Sequence, residues 1–131
     1  MPGYIEHPLK EPFNKLIPQP DLNFIDHVVG NQPDLQMTPV VEFYENILGF
    51  HRFFSLDDSV MHTEYSALRV TIVANFDEKI KMPINEPAKG KRKSQIQEFV
   101  DYNGGAGVQH IAFNTNDCIG TVENLKVYFN F

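Results

Sequence analysis

Disulfide bonds within the chain are excluded, because its 131 residues include only one cysteine, Cys118. A chain without disulfides fits a reducing compartment. Long apolar runs are also missing, and stretches such as residues 70–74 fall far short of the ~20 residues that a membrane helix needs. The first residues have neither the basic nor the apolar segment of a secretory signal. These absences predict a soluble, cytoplasmic protein with no membrane partner.

Positive charge is scarce, with 11 lysines and arginines against 17 aspartates and glutamates and a net charge of −6. Nucleic-acid phosphates require a clustered basic surface, so this balance argues against a nucleic-acid partner. The one basic run, residues 89–93, is short and contains Gly90. We interpret it as a solvated loop rather than an anion site.

Prolines divide the chain into two parts of different character. Five of the nine prolines fall within the first twenty residues, where they remove backbone donors and favour extended structure. We therefore predict that residues 1–22 form a linker, which implies an upstream domain. Residues 23–131 have the length of one domain with a modest core.

The pattern after residue 23 predicts a strand, a helix and then three strands. Residues 24–29 are β-branched and apolar enough for a buried strand. Thr38 is the candidate N-cap of the helix, Pro39 suits its first position, and Gly49 ends it. Residues 23–84 thus form a βαβββ module, whose later strands are predicted at residues 50–55, 65–75 and 79–84.

A connector over residues 85–106 separates this module from a second start of the same pattern. The connector is predicted as a loop over residues 85–93, followed by a short helix capped by Ser94. Residues 107–131 then begin a second, incomplete module, with a strand at 108–113 and a helix that Asn116 or Asp117 caps. The fold class is α+β, with one complete module and part of another.

The first strands of the two modules repeat each other. Residues 25–31 and 108–114 agree in apolar pattern and in the place of a histidine, which is His27 in one and His110 in the other, 83 residues apart. If the modules pair about a pseudo-two-fold axis, both imidazoles face a shared cavity. Imidazole is a good ligand for Fe, Zn, Ni or Cu, so the repeat predicts a metal site. The other histidines lack this support and are assigned no role: His7, His51 and His62.

Several long motifs resemble the 4-hydroxyphenylpyruvate dioxygenase family, and they agree with it in order and spacing from about residue 20 to about residue 126. They are residues 25–33, 62–69, 81–87, 93–98 and 101–112. The family belongs to the vicinal-oxygen-chelate class, which is built from paired βαβββ modules. The resemblance therefore implies the same fold that the pattern predicts.

The resemblance also implies a function. The family uses Fe(2+), held by two histidines and one glutamate, and dioxygen to convert 4-hydroxyphenylpyruvate to homogentisate in tyrosine catabolism. It implies that His27 and His110 are metal ligands, and that Asn85, Gln95 and Gln109 bind the phenol ring of this small-molecule substrate. Strict strand alternation, however, turns Gln109 away from the face that carries His110.

The sequence departs from the family in two respects. The resemblance implies that the glutamate ligand lies beyond residue 131, and Val70 stands where the family commonly has a serine that reaches the pocket. No spacing argument supports a replacement carboxylate, so surface positions are expected for Glu64, Glu98 and Glu123. Because the missing strands would leave part of the sheet uncovered, we also expect homo-oligomers or aggregation.

Two alternatives remain open at the level of sequence. One is a catalytically inactive remnant that binds metal weakly or not at all, since family and activity are separate claims. The other is a related vicinal-oxygen-chelate protein, such as 4-hydroxymandelate synthase, or a binding module that reuses the paired-repeat scaffold.

Overall fold

The computed structural model describes residues 18–55, 61–62 and 67–129. Most of the predicted linker, residues 1–17, lies outside the described residues. No helix in the described part of the chain has both the length and the apolar character needed to cross a bilayer. The chain divides into a larger compact unit, Ile25–Ala112, and a smaller one that contains the described residues on either side of it.

Six strands and three helices make up the described structure. The strands are β1 (Phe24–Asn31), β2 (His51–Ser55), β3 (Met61–His62), β4 (Ala67–Ala74), β5 (Lys81–Ala88) and β6 (Gly107–Asn114). The helices are α1 (Met37–Leu48), α2 (Gln95–Asn103) and α3 (Cys118–Phe129). The strands form one mixed sheet in the order β2-β4-β5-β1-β6, and β3 pairs with β4 beside this path. The predicted α+β class is confirmed.

The core of the larger unit lies between α1 and the central strands. Val41 of α1, Val73 of β4 and Ile84 of β5 are each no more than 1% exposed and pack together. Burying such side chains stabilises the unit by about 1.5–3 kcal/mol each. Gly49 ends α1 as predicted, with φ of 67° and its N–H donating to the Tyr44 carbonyl, a left-handed conformation that glycine adopts without a steric penalty.

The predicted start of α1 is wrong. The helix begins at Met37, after Gln36, and no side chain next to it in sequence caps it, so Thr38 is not the N-cap. The Met37 N–H instead donates to Oε2 of Glu86, 3.1 Å away on β5. Glu86 is only 5% exposed, and its other oxygen accepts from Nε of Arg69 at 2.6 Å. A buried carboxylate from the sheet therefore satisfies the helix end.

The predicted loop over residues 85–93 is wrong in its first half, because β5 continues to Ala88. The loop was predicted from the proline, glycine and charge content of residues 85–93, whereas β5 contains two prolines, Pro83 and Pro87. The Asn85 carbonyl accepts from the N–H of Gln32 just after β1, and residues two apart direct their backbone groups to the same side of a strand. The two proline nitrogens, which carry no hydrogen, therefore point toward β1. The antiparallel pairing of β5 with β4 is not interrupted and covers all eight residue pairs.

The remaining differences lie at element ends. β3 was not predicted, and it pairs Met61 with Leu68 and His62 with Ala67. Ser94 caps α2 as predicted, with its Oγ accepting from the Ile96 N–H at 3.3 Å.

In the smaller unit, Asp117 is the N-terminal cap of α3. Its Oδ1 accepts from the Gly120 N–H at 3.0 Å. This confirms one of the two predicted candidates.

Candidate metal centre

The two repeated histidines lie close together within the larger unit. His27 is on β1 and His110 on β6, and these strands are neighbours in the sheet. Their ring centroids are 5.7 Å apart, with an interplanar angle of 75°. The convergence expected from the repeat is therefore present, while the role of the two rings as ligands remains a prediction.

Each histidine ring is hydrogen-bonded to the side chain of the residue before it. His27 Nδ1 lies 2.8 Å from Oδ2 of Asp26, and His110 Nδ1 lies 2.9 Å from Oε1 of Gln109. Carboxylate and amide oxygens only accept hydrogen bonds, so each Nδ1–H donates. In the neutral form of each ring this contact selects the Nδ1–H tautomer, which leaves Nε2 with a lone pair for a metal.

Asp26 is also paired with a cation. Nζ of Lys81, on the neighbouring strand β5, lies 3.4 Å from Oδ1 of Asp26. The pKa of Asp26 lies below its ordinary value, mainly because of the hydrogen bond from His27; burial opposes this effect, and the charge of Lys81 adds to it. Asp26 is therefore ionised at neutral pH, which keeps it an acceptor.

The buried side-chain amide of Asn31 links side chains from the two strands on either side of β1. Oδ1 of Asn31, which is 0% exposed, accepts from Nδ2 of Asn85 and from Nε2 of Gln109, each at 3.2 Å. Nδ2 of Asn31 is buried and has no hydrogen-bond partner. Sequence reasoning missed Asn31, although its position four residues after His27 placed it on the same strand face.

The three amides assigned by resemblance are placed differently. Asn85 is buried and Gln109 half-buried. Both donate to Oδ1 of Asn31 and form the Asn31 cluster with it. Strand alternation predicts that Gln109 points away from His110. Its side chain is long enough to contact both Asn31 and His110 nevertheless. Gln95 is exposed at the start of α2, and the structure shows no hydrogen bond from it to the cluster among the described residues.

Val70 lies close to the cluster. It is the direct partner of Asn85 in the pairing of β4 with β5 and is half-buried. A serine at this position would therefore place a hydroxyl next to the Asn85 backbone, which fits the family difference noted above.

The described residues contain no group of three or more histidine, cysteine, aspartate or glutamate side chains that could hold a metal. Glu98 and Glu123 are exposed, as expected, and Glu64 lies outside the described residues. The two imidazoles suit a metal ion, because hydrogen bonds at Nδ1 orient both rings and leave Nε2 of each neutral ring with a lone pair.

The basic run lies apart from the histidines. Residues 89–93 are exposed and border a surface hollow of about 950 Å³ together with Arg69. Arg69 is paired with Glu86 and Asp34, and Lys93 with Asp101. Neutralised cations are poor anion receptors, which supports the solvated-loop interpretation.

Comparison with known proteins identifies the family. Residues 24–127 match the model of the Glyoxalase/Bleomycin resistance protein/Dioxygenase superfamily. The chain belongs to this superfamily. The vicinal-oxygen-chelate fold predicted from the sequence is therefore confirmed.

Within the superfamily, the chain is similar to 4-hydroxyphenylpyruvate dioxygenases. It is 63% identical over 128 residues to the one from Caenorhabditis briggsae, covering 96% of this chain and 33% of the relative. It is 59% identical over 126 residues to the one from Tetrahymena thermophila, covering 96% and 31%. The resemblance is confirmed, and the chain spans about a third of the length of these relatives.

A solved structure agrees with the fold. A variant of 4-hydroxymandelate synthase from Streptomyces coelicolor matches with a TM-score of 0.73 and 26% identity, over 81% of this chain and 30% of the synthase. The synthase thus shares the fold over most of this chain.

Proposed function

We propose that this chain provides the metal-holding region of a 4-hydroxyphenylpyruvate dioxygenase, which converts 4-hydroxyphenylpyruvate and dioxygen to homogentisate in tyrosine catabolism. Fe(2+) is the proposed metal, with His27 and His110 as two of its ligands. The observation that carries the proposal is the meeting of two imidazoles on adjacent strands, both with Nε2 available. Identities near 60% to proteins of that name support it.

The residues of this chain have distinct proposed roles. Asn85 and Gln109 present amide groups to the phenol end of the substrate, and Asn31 holds them in place through its shared oxygen. Gln95 contributes from the first turn of α2. Bound iron would supply the activation of dioxygen that this reaction class requires.

The wider setting of the chain is proposed on the same basis. We place it in the cytoplasm, with residues 1–22 as a linker and residues 23–131 as the vicinal-oxygen-chelate domain. The edge strand β6 carries exposed apolar side chains, Val108 at 57% and Ile111 at 49%, which favour homo-oligomers. Sedimentation as a monodisperse monomer would contradict that last point.

The test of the activity uses a full-length host. Residues 20–126 of this chain replace the equivalent segment of the Caenorhabditis briggsae relative, and the chimera is incubated with Fe(2+), 4-hydroxyphenylpyruvate and oxygen. We expect homogentisate, and we expect none when the same chimera carries His110→Ala. A folded chimera that binds substrate but forms no homogentisate would refute the proposal.

Two alternatives are separated by the same assay. If this segment is a remnant that binds metal weakly or not at all, the folded chimera forms no product. The synthase structure, at 26% identity, gives only weak support to a mandelate-forming relative, which would produce 4-hydroxymandelate in place of homogentisate. Product analysis by chromatography distinguishes all three outcomes.

A further inference from the structure

Asp26 is a side chain to which neither the family resemblance nor the proposed reaction assigns a role. It is about a third exposed and lies between two groups of opposite character, the His27 ring at 2.8 Å and the Lys81 ammonium at 3.4 Å. Its position immediately before His27 would normally place it on the other strand face. The carboxylate nevertheless reaches Nδ1 of that ring.

We propose that Asp26 is a positioning residue, which holds the His27 ring as the Nδ1–H tautomer and so presents Nε2 to the metal. The inference rests on the proposed function, because it takes His27 as a ligand. Free imidazole exchanges its proton between two nitrogens, whereas a carboxylate acceptor at Nδ1 selects one form and fixes the ring plane. Lys81 holds the carboxylate from the opposite side.

The repeated half of the site supports this inference independently. Gln109 occupies the position before His110, and its oxygen meets the same ring nitrogen at 2.9 Å. The two residues differ in chemistry but supply the same feature, an oxygen that can only accept. An acceptor at the same place in both copies is what a ring-orienting role requires.

The tautomer can be measured on the metal-free chain. Long-range proton–nitrogen NMR of the labelled full chain, at a pH where imidazole is neutral, reports which ring nitrogen carries the proton. We expect Nδ1–H for His27 in the unchanged chain, a shift toward Nε2–H in Asp26→Ala, and retention of Nδ1–H in Asp26→Asn, whose amide oxygen still accepts. Asp101→Ala, which removes an exposed carboxylate paired with Lys93, is the matched control and leaves the tautomer unchanged.

A second measurement separates this inference from the proposed function. Anaerobic titration with Fe(2+) should show affinity about 10- to 100-fold weaker in Asp26→Ala, with a smaller loss in Asp26→Asn. If His27→Ala does not weaken iron binding, the proposed function fails while the tautomer result stands. If the His27 proton stays on Nδ1 in Asp26→Ala, or is on Nε2 in the unchanged chain, the positioning role is overturned.

Discussion

His27 and His110 occupy equivalent places in a repeated strand, but their surroundings differ. His27 lies on β1, between β5 and β6, and its side chain is 31% exposed. Its acceptor is the charged Asp26. His110 is exposed on β6, at the end of the sheet order, and its acceptor is the neutral Gln109.

The difference follows from the neighbours of each strand. Lys81 is the register partner of His27 in β5, so a carboxylate beside His27 meets a cation. The acceptor beside His110 instead contacts buried Asn31, where a charge would be costly to desolvate. The repeat therefore sets where each ring and its acceptor lie, and the adjacent strand sets whether the acceptor is charged.

The largest expected effect comes from removing either ring. His27→Ala and His110→Ala should each weaken Fe(2+) binding by more than the roughly 10- to 100-fold that loss of an outer partner costs. Anaerobic titration calorimetry measures the affinity. His51→Ala is the control, because His51 is exposed and bonded to Glu78, and its removal should leave binding unchanged. Equal Fe(2+) affinity in all three variants would contradict the proposal that His27 and His110 are both metal ligands.

The next largest effect concerns Asn31, whose side-chain oxygen accepts from both Asn85 and Gln109. Asn31→Ala removes the acceptor of Asn85 and Gln109 and should lower the free energy of unfolding by roughly 1–3 kcal/mol, since buried donors lose their partner. Urea denaturation measures this. The control is Asn23→Ala, which breaks an exposed amide pair with Asn114 and should cost less. Similar losses in both variants would mean that burial of the cluster contributes nothing.

A smaller effect should distinguish the two acceptors. Gln109→Leu should weaken Fe(2+) binding less than Asp26→Ala does, because hydrogen bonds to a charged acceptor are about twice as strong as neutral ones. Parallel iron titrations of the two variants give the ratio. A larger loss of iron affinity in Gln109→Leu than in Asp26→Ala would contradict this. It would mean that His110 depends more on its acceptor than His27 does.

The smallest effect concerns Val70. Val70→Ser in the chimera should strengthen substrate binding by about 1 kcal/mol, roughly fivefold, if the new hydroxyl makes one net hydrogen bond. The KM for 4-hydroxyphenylpyruvate measures it. Val70→Ala is the control for lost volume, and an identical KM in both variants would show that the hydroxyl makes no such bond.

The sequence predicted the features that depend on local pattern. The repeat located both histidine strands, Gly49 the end of α1, and Ser94 the start of α2, because periodicity and capping act within a few residues. It failed where a distant residue decides the structure. Glu86 replaces a local cap on α1, and pairing with β4 keeps Pro87 within a strand.

The candidate site shows the same limit. His27 and His110 were found because a duplicated motif leaves a trace in sequence. Asn31 was missed because its importance comes from two partners that lie 54 and 78 residues further along the chain. Asp26 gave no signal by itself, since only its distance to the ring shows what it does.

The shared oxygen of Asn31 has a consequence for how this region can change. Asn85 and Gln109 both depend on a single atom, so a substitution at any one of the three positions alters the environment of the other two. Their mutational effects should be non-additive, and changes that preserve function should arise as compensated sets. Substitutions at these three positions are then expected to covary among homologous chains, even though no two of the positions are adjacent in sequence.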